Sequence, residues 1–296
     1  MADLSRIKDL REATGCGISD CNKALTENNG DFEKAVDWLR KKGLSSASKK
    51  SNRTTSEGVV AVSIESNQAT ILEVNSETDF VARNDKFQNF VTKLVKEAKA
   101  FGDDIAKFQN EKDEEVKTQI GIIGENLKIR RLSNIKVNSG VIVSYIHNLI
   151  APNMGKIAVL VSLETKAEKN KAEELGKQIA MHIAASKPDA LTIDKVDPSK
   201  LNRESEILKE QARASGKPEN IIDKMIEGRI RKYYEEVVLL EQLFVMDDKI
   251  KIKDLVNKFA KENGETSIAD FRLFILGEGI DKKENNFAEE VASMTK

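Results

Sequence analysis

The sequence predicts an α+β protein with three parts. These are an N-terminal three-helix domain, a core of two related α+β subdomains, and an antiparallel helical hairpin, a short coiled coil, inserted in the second subdomain. Three observations predict it. Apolar residues recur at helical spacing through residues 1–45. Two β-branched runs then appear in duplicate, each ending in Glu-Thr ahead of a helical pattern. A charged helical tract fills residues 187–236 and interrupts the second copy.

Within residues 1–45, Leu4, Ile7 and Leu10 mark a first helix, which Thr14-Gly15-Cys16-Gly17 breaks. Ile18, Cys21 and Leu25 follow at i, i+3, i+7 spacing. Asn28-Asn29-Gly30-Asp31 is a second break, with Asp31 placed to cap the next helix. Phe32, Ala35, Val36 and Leu39 form its apolar stripe, and Trp38 and Leu44 are positioned to close the core. This unit resembles a ubiquitin-associated (UBA-like) domain, a fold used for docking. Residues 46–57 carry almost no apolar side chains and predict a mobile polar linker.

The first core subdomain spans 58–139. Val59-Val60-Ala61-Val62-Ser63-Ile64 and Thr70-Ile71-Leu72-Glu73-Val74 read as a hairpin about an Asn67-Gln68 turn. Phe87, Phe90, Val91, Leu94, Val95 and Ala98 give one helix a buried face, a second helix covers about 103–120, and Leu127 to Leu132 is a closing strand. From residue 140 the plan repeats. Gly140-Val141-Ile142-Val143-Ser144 parallels Gly58 to Val62, and Lys156–Thr165 parallels Ala69–Thr78. The second subdomain takes 140–186 and, after the insertion, 237–276; the chain re-enters its sheet through Val237-Val238-Leu239-Leu240, and Phe271 to Phe274 is its closing strand. The run from Ile179 through His182 to Ala184 reads as core packing beside a helix partner.

In the hairpin, Asp197-Pro198-Ser199 opens one helix and Ser215-Gly216-Lys217-Pro218 turns the chain. Ile222, Met225, Ile226, Ile230 and Tyr233 stripe the second helix. Apolar stripes need a partner: the hairpin mate, another protein, or a second copy in a homodimer.

Composition narrows the function. With 48 basic and 49 acidic side chains, the chain lacks the basic excess of a nucleic-acid binder, so no direct nucleic-acid contact is expected. No apolar run approaches the roughly 18–20 residues that span a bilayer. The Met1-Ala2-Asp3-Leu4-Ser5 start lacks signal-peptide architecture, and a cytoplasmic location without membrane contact is expected. Cys16 and Cys21 suit neither a disulfide framework nor a zinc site, and His147 and His182 are the two histidines. There is no phosphate-binding loop, dinucleotide fingerprint or nucleophile elbow. The expectation is a protein that grips another protein: not an enzyme, without catalytic residues, metal ligands or cofactor.

The sharpest local feature is Thr78-Asp79-Phe80-Val81-Ala82-Arg83-Asn84, at a strand-to-helix turn. Thr78 or Asp79 can cap the following helix. Phe80 has two readings. It lies seven residues before Phe87 and can extend that helix's buried face, or it can point outward. The second copy has Lys166-Ala167 at the equivalent place, which weighs toward the outward reading.

This run resembles the Thr-Asp-Phe-Val-Ala-Arg/Lys signature of the elongation factor Ts family. Thr14 to Leu25 is similar to the family's T-G-x-G-x-x-D-C-x-K-A-L run, with Asn22 where many members carry Lys. Gly124-Glu125-Asn126 before the Arg130-Arg131 strand, Ile179 to Pro188, Ser215 to Pro218, Glu227-Gly228-Arg229, Phe244-Val245-Met246 and Gly277-Glu278-Gly279-Ile280 continue the resemblance in order along the chain. Residues 277–296 resemble the family's C-terminal module.

The resemblance implies a guanine-nucleotide exchange factor for translation elongation, with the GTPase elongation factor Tu as partner. It implies that Thr78, Asp79, Phe80 and Val81 form a wedge. Phe80 would enter a pocket between helices of the GTPase and displace the elements holding Mg²⁺ and the GDP phosphates. Further contacts implied are Lys23, Arg83, Asn84, His147, Val245 and Met246. For His147 a satisfied structural histidine stays open beside this, and for Val245-Met246 a buried strand. The alternative function is a docking or chaperone-like binding module without exchange activity.

Overall fold

The computed structural model describes residues 3–214 and 219–280. The turn expected at Ser215-Gly216-Lys217-Pro218, the side chain of Ile222 and residues 281–296 of the expected C-terminal module lie outside the described residues.

Three helices open the chain: α1 (Leu4–Thr14), α2 (Ile18–Glu27) and α3 (Phe32–Lys50). Their limits follow from local chemistry. Asp3 accepts from the Ser5 N–H at the start of α1, and Gly15 ends it at φ 70°, where a side chain would be strained. Asp31 accepts from the Lys34 N–H and caps α3. Ile7, Leu10, Cys21, Ala24, Leu25, Ala35 and Leu39 make the small core, closed at its edge by Cys16, Phe32, Val36 and Trp38. Leu4 and Leu44 stand outside it.

Residues 46–57 are not the mobile linker that their composition predicts. Helix α3 runs on to Lys50, and Ala47 is buried in the neighbouring core. The reason is a close helix crossing. Gly43 on α3 meets Gly121 on α6 (Ile105–Ile123) so tightly that a Cβ at Gly121 would lie 2.7 Å from the Gly43 Cα. Arg40 pairs with Glu114 across the same crossing at 2.6 Å. A polar helix needs only a narrow strip of small residues to pack in this way.

The core strands are β1 (Glu57–Glu65), β2 (Gln68–Ser76), β3 (Lys128–Lys136), β4 (Gly140–Ala151), β5 (Met154–Thr165) and β8 (Thr266–Ile275). They form one six-stranded antiparallel sheet. The expected duplication is visible in the pairing. β2 lies between β1 and β3, and β5 lies between β4 and β8, so each closing strand pairs with the second strand of its own hairpin. The halves join where Val60 and Ala61 face Gly155 and Met154. Both copies open on a glycine at positive φ. A Cβ would meet the Val74 carbonyl oxygen at 2.2 Å from Gly58, and that of Leu163 at 1.9 Å from Gly140.

Helices α5 (Asp85–Ala98) and α6 cover the outer face of the first half. Helices α7 (Lys169–Ser186) and α10 (Ile252–Asn263) cover that of the second. Val60, Val62, Ile71, Ile135, Ile142, Ala158 and Leu160 form a third core shared by both halves. β8 leads into Gly277, whose N–H donates to the fully buried Glu73 carboxylate on β2 at 2.9 Å.

The inserted hairpin is α8 (Pro198–Ala214) and α9 (Glu219–Val237), linked by Arg229 Nη1 donating to Gln211 Oε1 at 2.9 Å. Its return corrects a second expectation. Val237 to Leu240 does not enter the main sheet, because β4 and β8 already occupy the edges of β5. Val238 instead bridges to Ala190, and Leu239 opens a 3-10 turn. A two-stranded hairpin follows, β6 (Leu243–Phe244) and β7 (Asp247–Lys251). Among the described residues no helix is long and apolar enough to cross a membrane.

Candidate functional site

Between β2 and α5 the chain makes a single helical turn, α4 (Asp79–Ala82). Arg83 and Asn84 end it, their N–H groups donating to Phe80 O and Val81 O. Asn84 then caps α5 by accepting from the Lys86 N–H at 2.9 Å. This break decides the direction of Phe80. Had one helix run through to Phe87, seven residues would return Phe80 to the buried face. The break cancels that periodicity, and Phe80 is 79% exposed. The buried reading of Phe80 is thereby overturned.

The rest of the turn anchors it. Val81 and Ala82 are turned inward, to 8% and 2% exposure, and pack into the core with Phe87 and Phe90. Val81, expected as a partner contact, is therefore an anchor; on a one-turn helix consecutive side chains cannot all face the same way. Asp79, Arg83 and Asn84 are exposed beside Phe80.

Thr78 stands at the N-cap of α4 without capping it by its side chain. Its hydroxyl donates to Glu125 Oε1 at 2.6 Å and its N–H to Glu125 Oε2 at 2.9 Å. In the second copy Thr165 contacts the Thr266 hydroxyl and accepts from the Ala167 N–H, and the chain enters α7 with no extra helical turn. The exposed Asp79-Phe80 turn belongs to the first copy alone.

A second exposed feature is the tip of the β6–β7 hairpin. Val245 and Met246 are each 50% exposed, so the buried-strand reading fails; the inward residue is Phe244. His182 supports the tip from α7. Its Nδ1 accepts from the Val245 N–H at 3.3 Å, and its Nε2 lies 2.9 Å from Gln242 Oε1. Burial lowers the His182 pKa, with the Gln242 bond opposing.

The other expected contacts sit on other elements. Lys23 is exposed on α2 and pairs with Glu27 at 3.8 Å. His147 is exposed on β4, its Nδ1 3.2 Å from the Tyr145 hydroxyl, beside the exposed Leu149. Among the described residues no cluster of three or more His, Cys, Asp or Glu side chains is arranged to hold a metal ion. The residue that sequence reasoning passed over is Glu125. Its place in the Gly124-Glu125-Asn126 run was visible, but nothing local says that its carboxylate reaches back to Thr78.

Comparison with known proteins matches the chain to two families. The family described as Elongation factor TS matches residues 77–278, and a UBA-like domain family matches residues 3–42. Relatives named Elongation factor Ts are similar over nearly the whole chain. That of Rhodospirillum centenum is 53% identical, covering 99% of each chain. That of Gluconobacter oxydans is 50% identical, covering 99% of this chain and 98% of its own. That of Rhodospirillum rubrum is 49% identical over the full length of both.

Proposed function

The chain belongs to the elongation factor Ts family, and from that premise we propose that it is a guanine-nucleotide exchange factor. It binds elongation factor Tu·GDP, inserts Phe80 with Asp79 beside it, disturbs the Mg²⁺ and phosphate site, and promotes GDP release. The observation that carries this reading is the division of α4: Val81 and Ala82 are buried, while Phe80 stands in solvent. An exposed phenylalanine on a rigidly anchored turn is suited to a partner pocket, where burial contributes about 1.5–3 kcal/mol.

The energetics are those of linkage. A factor that weakens bound GDP is weakened by GDP in the same ratio. By preferring the nucleotide-free arrangement it raises that population and speeds release. No covalent step is asked of this chain, so it acts as a binding protein rather than an enzyme, in the cytoplasm. Lys23, His147 and the Val245-Met246 tip supply further contacts on other faces.

Release of a fluorescent GDP analogue from elongation factor Tu tests the reading. Wild-type chain should accelerate release, and Phe80→Ala should bind yet lose most of the acceleration. Binding by the wild-type chain with no change in release rate would overturn it and mark a docking module instead.

A further inference from the structure

We infer that Glu125 is a positioning residue for exchange, acting through Thr78 to set the direction of the Asp79-Phe80 turn. The inference rests on the exchange reading above.

Helix α4 is too short to hold its own geometry. One helical turn fixes several backbone torsions for a single hydrogen bond, so an isolated turn is unfavourable. Its N-terminus also lacks a side-chain cap, because the Thr78 hydroxyl is turned toward Glu125. Two outside supports replace that intrinsic stability. Val81 and Ala82 fix the turn from below. Glu125 fixes its leading end, using one carboxylate oxygen for the Thr78 N–H and the other for its hydroxyl. Two charge-assisted bonds to one residue define an orientation that one bond would leave free to pivot.

Glu125 is itself held on both sides. Gly124 ends α6 at φ 92° and accepts from Lys50 Nζ at the end of α3. The Asn126 N–H donates to Glu77 Oε1 at 2.6 Å. The Asn126 side-chain amide donates to the carbonyls of Ser51 at 3.3 Å and Arg53 at 3.0 Å. Arg53 returns to Glu77 Oε2 at 3.2 Å. The three-residue turn thus ties the residues leading into the wedge to those leading out of the N-terminal unit. Asn126 is buried and Thr78 and Glu125 are half-buried, so water competes weakly for the bonds that these three residues make.

The test is Glu125→Gln in the full chain, with stimulated GDP release measured against factor concentration. Glutamine keeps the shape but not the charge: its oxygen can accept from the Thr78 N–H only with its NH₂ group turned to the hydroxyl, so neither bond stays charge-assisted. The maximal stimulated rate should fall about tenfold, with a much smaller change in the half-saturating concentration and a retained urea midpoint. In a Phe80→Ala background the same substitution should change nothing further, since its route through the wedge is already closed. Thr78→Val, which removes one of the two donors, should lower the maximal rate by a smaller factor and serves if Glu125→Gln folds poorly. A wild-type maximal rate in both variants, or an undiminished further loss in the Phe80→Ala background, would overturn the positioning role. If Phe80→Ala alone leaves the rate unchanged, the wedge reading fails first, and that result is separable from the others.

Discussion

The Nδ1 nitrogen of His182 accepts a hydrogen bond from the backbone N–H of Val245. A backbone N–H can only donate, so this contact fixes the tautomer: the ring proton sits on Nε2 and is donated to Gln242 Oε1. Protonation would set an N–H against an N–H at the base of the exposed Val245-Met246 tip. Burial already lowers the His182 pKa from its ordinary 6.5.

The pH dependence follows with a definite sign. The folded protein holds the ring neutral, while the unfolded chain takes up a proton near pH 6.5. This contribution to stability is full above about pH 6.5 and declines as pH falls toward the lowered folded value. Unfolding in urea should therefore need less denaturant at about pH 5.5 than at about pH 7.5. His182→Gln should be less stable at the higher pH but show a flatter profile; an unchanged slope would acquit His182.

The crossing of α3 and α6 gives an asymmetric pair of substitutions. A Cβ at Gly43 would lie 3.7 Å from the Gly121 Cα, an ordinary contact, whereas one at Gly121 would lie 2.7 Å from the Gly43 Cα. Gly43→Ala should stabilise by up to about 1 kcal/mol through helix propensity. Gly121→Ala gains the same propensity but must push the helices apart at a cost of about 1–3 kcal/mol, for a net loss. Urea midpoints give the order, and limited proteolysis near Ser51 to Arg53 should quicken in Gly121→Ala alone.

What the sequence made legible was periodic. The strand pairs, the buried face from Phe87 to Ala98 and the repeated Glu-Thr ends all express spacings of two or 3.6 residues, which survive in one dimension. What it hid was set by contacts far along the chain. Ala47 looks like part of a polar tether until the crossing of Gly43 with Gly121 carries α3 on into the neighbouring core. Phe80 and Val81 share one motif, yet the stop at Arg83-Asn84 sends one outward and the other inward. Val245 lies 63 residues from the histidine that holds it, and Thr78 lies 47 from its carboxylate.

Phe80 and Val81 should separate stability from function. Removing the exposed ring in Phe80→Ala should shift unfolding free energy by no more than about 0.5 kcal/mol. Val81→Ala empties part of the core against Phe87 and Phe90 and should cost about 1–3 kcal/mol, despite deleting fewer atoms. Equilibrium urea unfolding of both variants decides it. A large loss for Phe80→Ala would mean the ring packs inward.

Glu73 holds the end of β8 to β2. Its fully buried carboxylate accepts from Arg130 Nη1 at 2.9 Å, Arg131 Nε at 2.5 Å, Asn75 Nδ2 at 3.0 Å and the Gly277 N–H at 2.9 Å. Arg131 lies over the Phe274 ring at 4.4 Å and donates to the Ile275 carbonyl and the Glu278 carboxylate. Glu73→Gln leaves two guanidinium groups facing a neutral amide in a site that water barely reaches. Breaking one side of a buried ion pair costs about 3–5 kcal/mol, and both arginines keep some solvent contact, so the lower end is expected. The loss should also be local. Gly277 sits at φ 71°, where a Cβ would come within 2.7 Å of the Ser56 carbonyl oxygen, so no side chain can anchor it and its N–H contact to Glu73 is its direct tie to β2. Hydrogen exchange at the Gly277 amide should speed up in Glu73→Gln well before the centre of β5 does. Uniform acceleration across the sheet would instead assign Glu73 to global stability, with no particular hold on β8.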